Sequence, residues 1–94
     1  MTVRVWRYDV PSHVREEFER EYGPDGSWAR LFANSPGFVE TSLYVEVGSS
    51  TSYLTVDRFA DDEAWQLFRA EHDTAYQEVG VRLRHLTTAQ DDLV

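Results

Sequence analysis

The chain contains no cysteine, no lysine and no isoleucine, and only one asparagine. Without cysteine there is no thiolate nucleophile and no iron–sulfur ligation; without lysine there is no Schiff base and no lysine general base. Positive charge is scarce as well. Nine basic residues, all arginine, stand against 17 acidic ones, for a net charge of −8. A phosphate-binding surface needs a basic patch, so nucleic acid and anionic membranes are poor partners. No apolar run approaches the roughly 20 residues of a membrane span. The opening Thr2-Val3-Arg4-Val5-Trp6-Arg7 alternates like a strand rather than forming the apolar core of a signal peptide, and a cytoplasmic protein is expected. GxGxxG, P-loop and CxxCH motifs are all missing, so no dinucleotide, nucleotide or c-type haem site is signalled.

Aromatic rings, by contrast, are plentiful: five Phe, five Tyr and three Trp, 14% of the chain. They allow a real core in a domain near the small end of what one core can stabilise. Residues 1–94 read as that single domain. Residues 2–10 alternate with apolar groups on both sides, as in a strand covered on both faces. Ser12 is expected to cap a helix whose inward stripe is Val14, Phe18 and Tyr22, with Gly23 in a left-handed C′ position and Pro24 ending it. Ser27 is expected to cap a short helix over residues 28–33. Residues 38–47 and 53–59 read as a hairpin around the Gly48–Ser52 loop. Asp61-Asp62-Glu63 opens a long helix. Its stripe, Trp65, Phe68, His72, Tyr76, Val79, Leu83 and Leu86, predicts helix through Leu86, bent near His72 or Gly80, although residues 81–86 also alternate. Leu93-Val94 is expected to start a last strand.

This order, β-α-(α)-β-β-α-(β), is the split βαβ arrangement: an α+β, ferredoxin-like antiparallel sheet with its helices on one face. The other face carries apolar residues and has no element to cover it. A second copy packed sheet to sheet would do so, and a homodimer is expected.

Few residues suggest chemistry. The three histidines, His13, His72 and His85, fall on different elements and make no HxxxH or HExxH pair, so no metal site is expected. His13 and Glu17, at i and i+4, read as a solvated first turn. His72 lies on the apolar stripe of the long helix. It is either a core histidine satisfied by one hydrogen bond or a neutral imidazole available as a base. Arg7 and Arg58 sit inside apolar strand patterns; for each, a structural ion pair competes with an anion-stabilising role, and Asp57, Asp9 and Glu40 are the available carboxylates. Trp6, Tyr8, Trp28, Phe32, Tyr44, Tyr53, Trp65 and Phe68 supply either core or the wall of an aromatic slot for a planar ligand.

Several stretches together resemble one family. Val3-Arg4-Val5-Trp6-Arg7-Tyr8, the run from Glu17 through Tyr22-Gly23-Pro24-Asp25-Gly26-Ser27-Trp28-Ala29-Arg30-Leu31-Phe32, Ser35-Pro36-Gly37-Phe38, Tyr53 to Phe59 and Ala64 to Arg69 are similar to members of the antibiotic-biosynthesis-monooxygenase (ABM) group. The resemblance spans nearly the whole chain. It implies a dimeric α/β barrel with a pocket in each subunit between sheet and helices. Activities in that group include cofactor-independent oxidation of polyketide phenols or anthrones to quinones, and haem degradation. The haem branch uses an Asn in the first strand with a Trp and a His on the second long helix; here the strand has no Asn, and Phe68 and Glu78 stand at the helix positions, which counts against it.

The resemblance and the residues together imply a monooxygenase that needs no cofactor. It would act with dioxygen on a small, electron-rich aromatic molecule, with His72 as base and Arg58 as the cation for developing negative charge. Trp6, Tyr44, Trp65, Phe68 and Tyr76 are the expected substrate contacts. A non-catalytic ligand-binding dimer, or a polyketide cyclase or isomerase, fits the same fold.

Overall fold

A computed structural model describes residues 1–94. Its elements are β1 (Thr2–Asp9), a 3₁₀ turn (Ser12–Val14), α1 (Arg15–Tyr22), α2 (Ser27–Phe32), β2 (Phe38–Val45), β3 (Ser52–Phe59), α3 (Asp62–Arg82), a second 3₁₀ turn (Arg84–Leu86) and β4 (Ala89–Asp92). The four strands form one antiparallel sheet in the order β2-β3-β1-β4. This is the expected ferredoxin-like α+β fold.

Strand register decides which side chains face the helices. Arg4 lies opposite Asp57, Trp6 opposite Thr55 and Tyr8 opposite Tyr53. On the other side of β3, Thr41 pairs with Asp57 and Leu43 with Thr55. All of these share the helix-covered face, where Tyr8, Thr41, Tyr53, Thr55, Asp57 and Phe59 are buried. A bulge between Phe38 and Glu40 turns Phe38 inward as well, so that its ring meets Phe59 at 5.5 Å.

The rings sort into two groups. Tyr8, Val10, Phe18, Tyr22, Tyr53, Leu83 and Leu86 form one core, and Phe32, Phe59, Trp65 and Phe68 form another. Trp28 packs against both. Between them lie three short, polar inward residues, Thr41, Thr55 and Asp57, beside Trp6. Helices resting on rings at either end cannot collapse onto short side chains in the middle. A hollow results.

Four local expectations are corrected. Helix α1 begins at Arg15, not after Ser12, because Ser12–Val14 closes a 3₁₀ turn and Ser12 makes no capping hydrogen bond. Gly23 is extended (φ −79°, ψ −177°) rather than left-handed; a Cβ there would lie 2.6 Å from the Glu19 carbonyl oxygen, so close approach is what demands glycine. Ser27 is the first residue of α2 rather than its cap, and its hydroxyl donates to Glu21. Helix α3 ends at Arg82, where the chain tightens into the 3₁₀ turn that buries Leu86, and the last strand is Ala89–Asp92 rather than Leu93-Val94. The bend in α3 falls at His72 (φ −122°, ψ 24°). At the other end of α3 the Asp61 carboxylate caps the helix, accepting from the Ala64 N–H at 2.8 Å.

Candidate active site

The hollow is a slot of about 280 Å³ between the sheet and the helices. Its floor is Trp6, Tyr8, Thr41, Thr55 and Asp57; Tyr22, Trp28 and Phe32 close one side. Tyr76, Gln77 and Gly80 of α3 form the roof, and Arg84, Thr87 and Gln90 give the mouth a polar rim. Helix α3 kinks at His72, one turn before Tyr76, which contributes its ring to the roof. Ring packing holds the walls: Trp28 to Tyr76 at 5.2 Å, edge to face, and Tyr8 to Tyr22 at 5.0 Å. An aromatic wall with a few convergent polar groups suits a planar organic ligand.

The one carboxyl in this slot is Asp57. It is 5% exposed and accepts a hydrogen bond from the Thr41 hydroxyl at 2.7 Å. Burial pushes its pKa up to about 6, opposed in part by the Thr41 hydrogen bond and by the positive charges of Arg4 and Arg58. Arg4 faces Asp57 across the strands but spends its charge on Asp92, at 2.6 Å, and lies over Trp65. Burial likewise raises the hydroxyls of Tyr8, Tyr22 and Tyr76, so all three stay neutral near pH 7 and can donate hydrogen bonds. The slot therefore pairs a carboxylate that accepts protons near neutrality with neutral phenol donors, in surroundings largely shielded from water.

Of the expected substrate contacts, Trp6 and Tyr76 line the slot, and Tyr8, Trp28 and Phe32, offered as core or slot wall, line it too. Trp65 and Phe68 stand one row behind it, in the core with Phe32 and Phe59. Tyr44 lies on the opposite face of the sheet and is half exposed. Arg58 is on that face too; it donates to Ser42 at 2.9 Å and lies 3.7 Å from Glu40, the carboxylate that pairs with it out of the three expected. His72 stacks on Phe68 at 5.3 Å and borders a separate hollow with Ser35, Pro36, Gly37 and Asp61. His72 and Arg58, expected as base and cation, do not line this slot: strand alternation puts Arg58 on the other face, and His72 borders the second hollow. His85, not His13, meets Glu17, at 3.1 Å and in the open. Asp57 was visible only as a partner for Arg58. The signal for it was its phase: it alternates with Tyr53, Thr55 and Phe59, the buried set of β3.

No protein-family profile and no curated protein matches the chain. Solved structures do. SnoaB, a cofactor-independent oxygenase from Streptomyces nogalater, superposes with a TM-score of 0.67 at 25% identity, over 98% of this chain and 89% of that one. A heme-degrader of Mycobacterium tuberculosis, MhuD, solved with two hemes in its active site, gives 0.64 at 27% identity over 97% and 89%. A Nitrosomonas europaea protein assigned to antibiotic biosynthesis monooxygenases gives 0.70 at 8% identity, over 97% and 84%, a likeness of fold alone. The class defined by fold and slot is a ferredoxin-like α+β domain with a ring-lined pocket under its helices. Within that class the chain shares its fold with SnoaB and with the Nitrosomonas protein, the fold that the resemblance in its sequence implies.

Proposed function

We propose that the chain is a cofactor-independent monooxygenase of an electron-rich, planar aromatic substrate of the polyketide phenol or anthrone type. The observation that carries this reading is Asp57: a shielded carboxyl, held by Thr41 and facing aromatic walls. An anthrone-like CH₂ flanked by aromatic rings is acidic enough for such a base to deprotonate. In this mechanism Asp57 takes one proton, and the carbanion supplies the electrons that reduce dioxygen. A C–O bond forms, and the peroxide regains a proton from Asp57. Loss of water leaves a carbonyl where the CH₂ was. One dioxygen is consumed and one water released, so no external reductant is needed. The neutral hydroxyls of Tyr8, Tyr22 and Tyr76 would donate to the substrate oxygens as negative charge spreads over the rings.

The 25% identity to SnoaB supports this chemistry. The likeness to MhuD raises haem as a substrate, but the slot contains no histidine to meet an iron. A homodimer belongs to the same proposal. The outer sheet face presents Val5 opposite Val56, Val3 opposite Arg58 and Leu54 opposite Arg7, and a second copy would remove the apolar ones from water. A cytoplasmic setting, consistent with the lack of cysteine, completes it.

The test is oxygen uptake with anthrone, in the presence of a chelator and without flavin. Uptake that disappears in Asp57→Asn supports the proposal. Binding without uptake points instead to a ligand-binding dimer, and product formed without oxygen to a cyclase or isomerase.

A further inference from the structure

Three of the five glycines are explained by packing. At Gly23, Gly26 and Gly37 a Cβ would lie between 2.3 and 2.6 Å from the nearest atom. Gly48 has a positive φ of 83° in the hairpin loop. Gly80 has neither reason. It lies within regular α3, beyond the kink, and a Cβ there would meet only the edge of Trp28, at an ordinary 3.9 Å. Glycine inside a helix is less stable than alanine, since it adds freedom to the unfolded chain and packs nothing. A residue that weakens the helix without being required by the backbone must be explained by what surrounds it.

What surrounds it is the slot. Gly80 forms part of the roof, one turn beyond Tyr76, and the direction its side chain would take leads toward Trp28, which is itself a wall. Trp28 is positioned mainly by ring packing against Tyr22, Phe32 and Tyr76. We infer that Gly80 sets the width of the slot, leaving room for a fused-ring ligand beside Trp28 where a larger side chain would admit only a single ring. This rests on the oxygenase reading for the class of ligand but not for the geometry.

The experiment compares wild type with Gly80→Ala and Gly80→Leu. Binding of 1,8-dihydroxyanthraquinone, with three rings, and catechol, with one, is followed by quenching of tryptophan fluorescence; Trp6 and Trp28 both face the slot. In Gly80→Leu the ratio of three-ring to one-ring affinity should fall by about tenfold or more. An unchanged ratio overturns the inference, as does a wild-type slot that binds neither probe. Gly80→Ala provides a second reading that does not depend on the leucine variant folding: its Tm should rise by several degrees, because helix propensity improves and the added methyl fits. A lower Tm would show that packing demands the glycine, and the inference would fail. Failure of the oxygenase reading looks different: anthrone then drives no oxygen uptake in wild type, while the affinity ratio still judges Gly80.

Discussion

Asp57 and Arg58 are neighbours on one strand and differ in almost everything that matters for chemistry. Asp57 points under the helices, where it is 5% exposed and its proton is held up to about pH 6. Arg58 points to the bare side of the sheet, where Ser42 and Glu40 answer it beside water. The strand supplies the alternation, but the layer above each face decides what a charge can do. A roof of rings turns a carboxylate into a base for neutral pH. On the open face a cation finds a routine partner.

The largest test of that contrast is Asp57→Asn. The amide keeps an oxygen for the Thr41 hydroxyl, so the fold should persist while turnover falls by ~10²–10⁴, the usual loss for a general base. Oxygen uptake at saturating substrate measures it, and a change of less than about tenfold would end Asp57's candidacy. Next comes the outer face. Val56→Asp places a carboxylate at the centre of the surface proposed to be shared by two copies; the dimer should weaken by about 1 kcal/mol or more, read by sedimentation, since burying a charge costs more than the nearby arginines return. If the wild-type chain sediments as a monomer, the contrast between covered and shared faces collapses.

The pH dependence has a definite sign. Asp57 binds its proton more tightly folded, near 6, than unfolded, near 3.9. Its contribution to stability is full below about pH 4 and is lost as pH rises through about 6, amounting to roughly 2–3 kcal/mol. Urea titrations at pH 4.5 and 7.5 should show that loss in wild type and not in Asp57→Asn, after subtraction of the remaining groups. Turnover should move the other way, rising through about pH 6 as the base ionises. The smallest effect is expected of His72→Gln: turnover within about twofold of wild type, because the imidazole borders another hollow. A hundredfold loss there would restore histidine as the base and reverse the comparison.

Much of the fold was legible because it is written in periodicity. Alternation in Thr2–Asp9 and Ser52–Phe59, the acid-capped start of α3 and the ring stripe from Trp65 onward are local patterns, and each became the expected element. The end of α3 was not legible, since residues 81–86 satisfy a helical and an alternating pattern at once; burial of Leu86 through a 3₁₀ turn settled it. The slot was half legible. Tyr76 could be chosen from the inward stripe of α3, and Trp6, Tyr8, Trp28 and Phe32 as rings for core or wall. Tyr44 could not be rejected, because a ring on a strand looks alike on either face until its partners are known.

By itself the sequence determined the elements, their order and hence the sheet with one covered side, because hydrophobic period and turn chemistry act over a few residues. It also determined that no thiol, lysine or basic patch was available. Only the tertiary structure decided which phase of each strand lies under the helices, and that Thr41, Thr55 and Asp57 share one slot floor with Trp6. Those facts depend on cross-strand register. Register couples residues far apart in the chain, and no local pattern records such couplings.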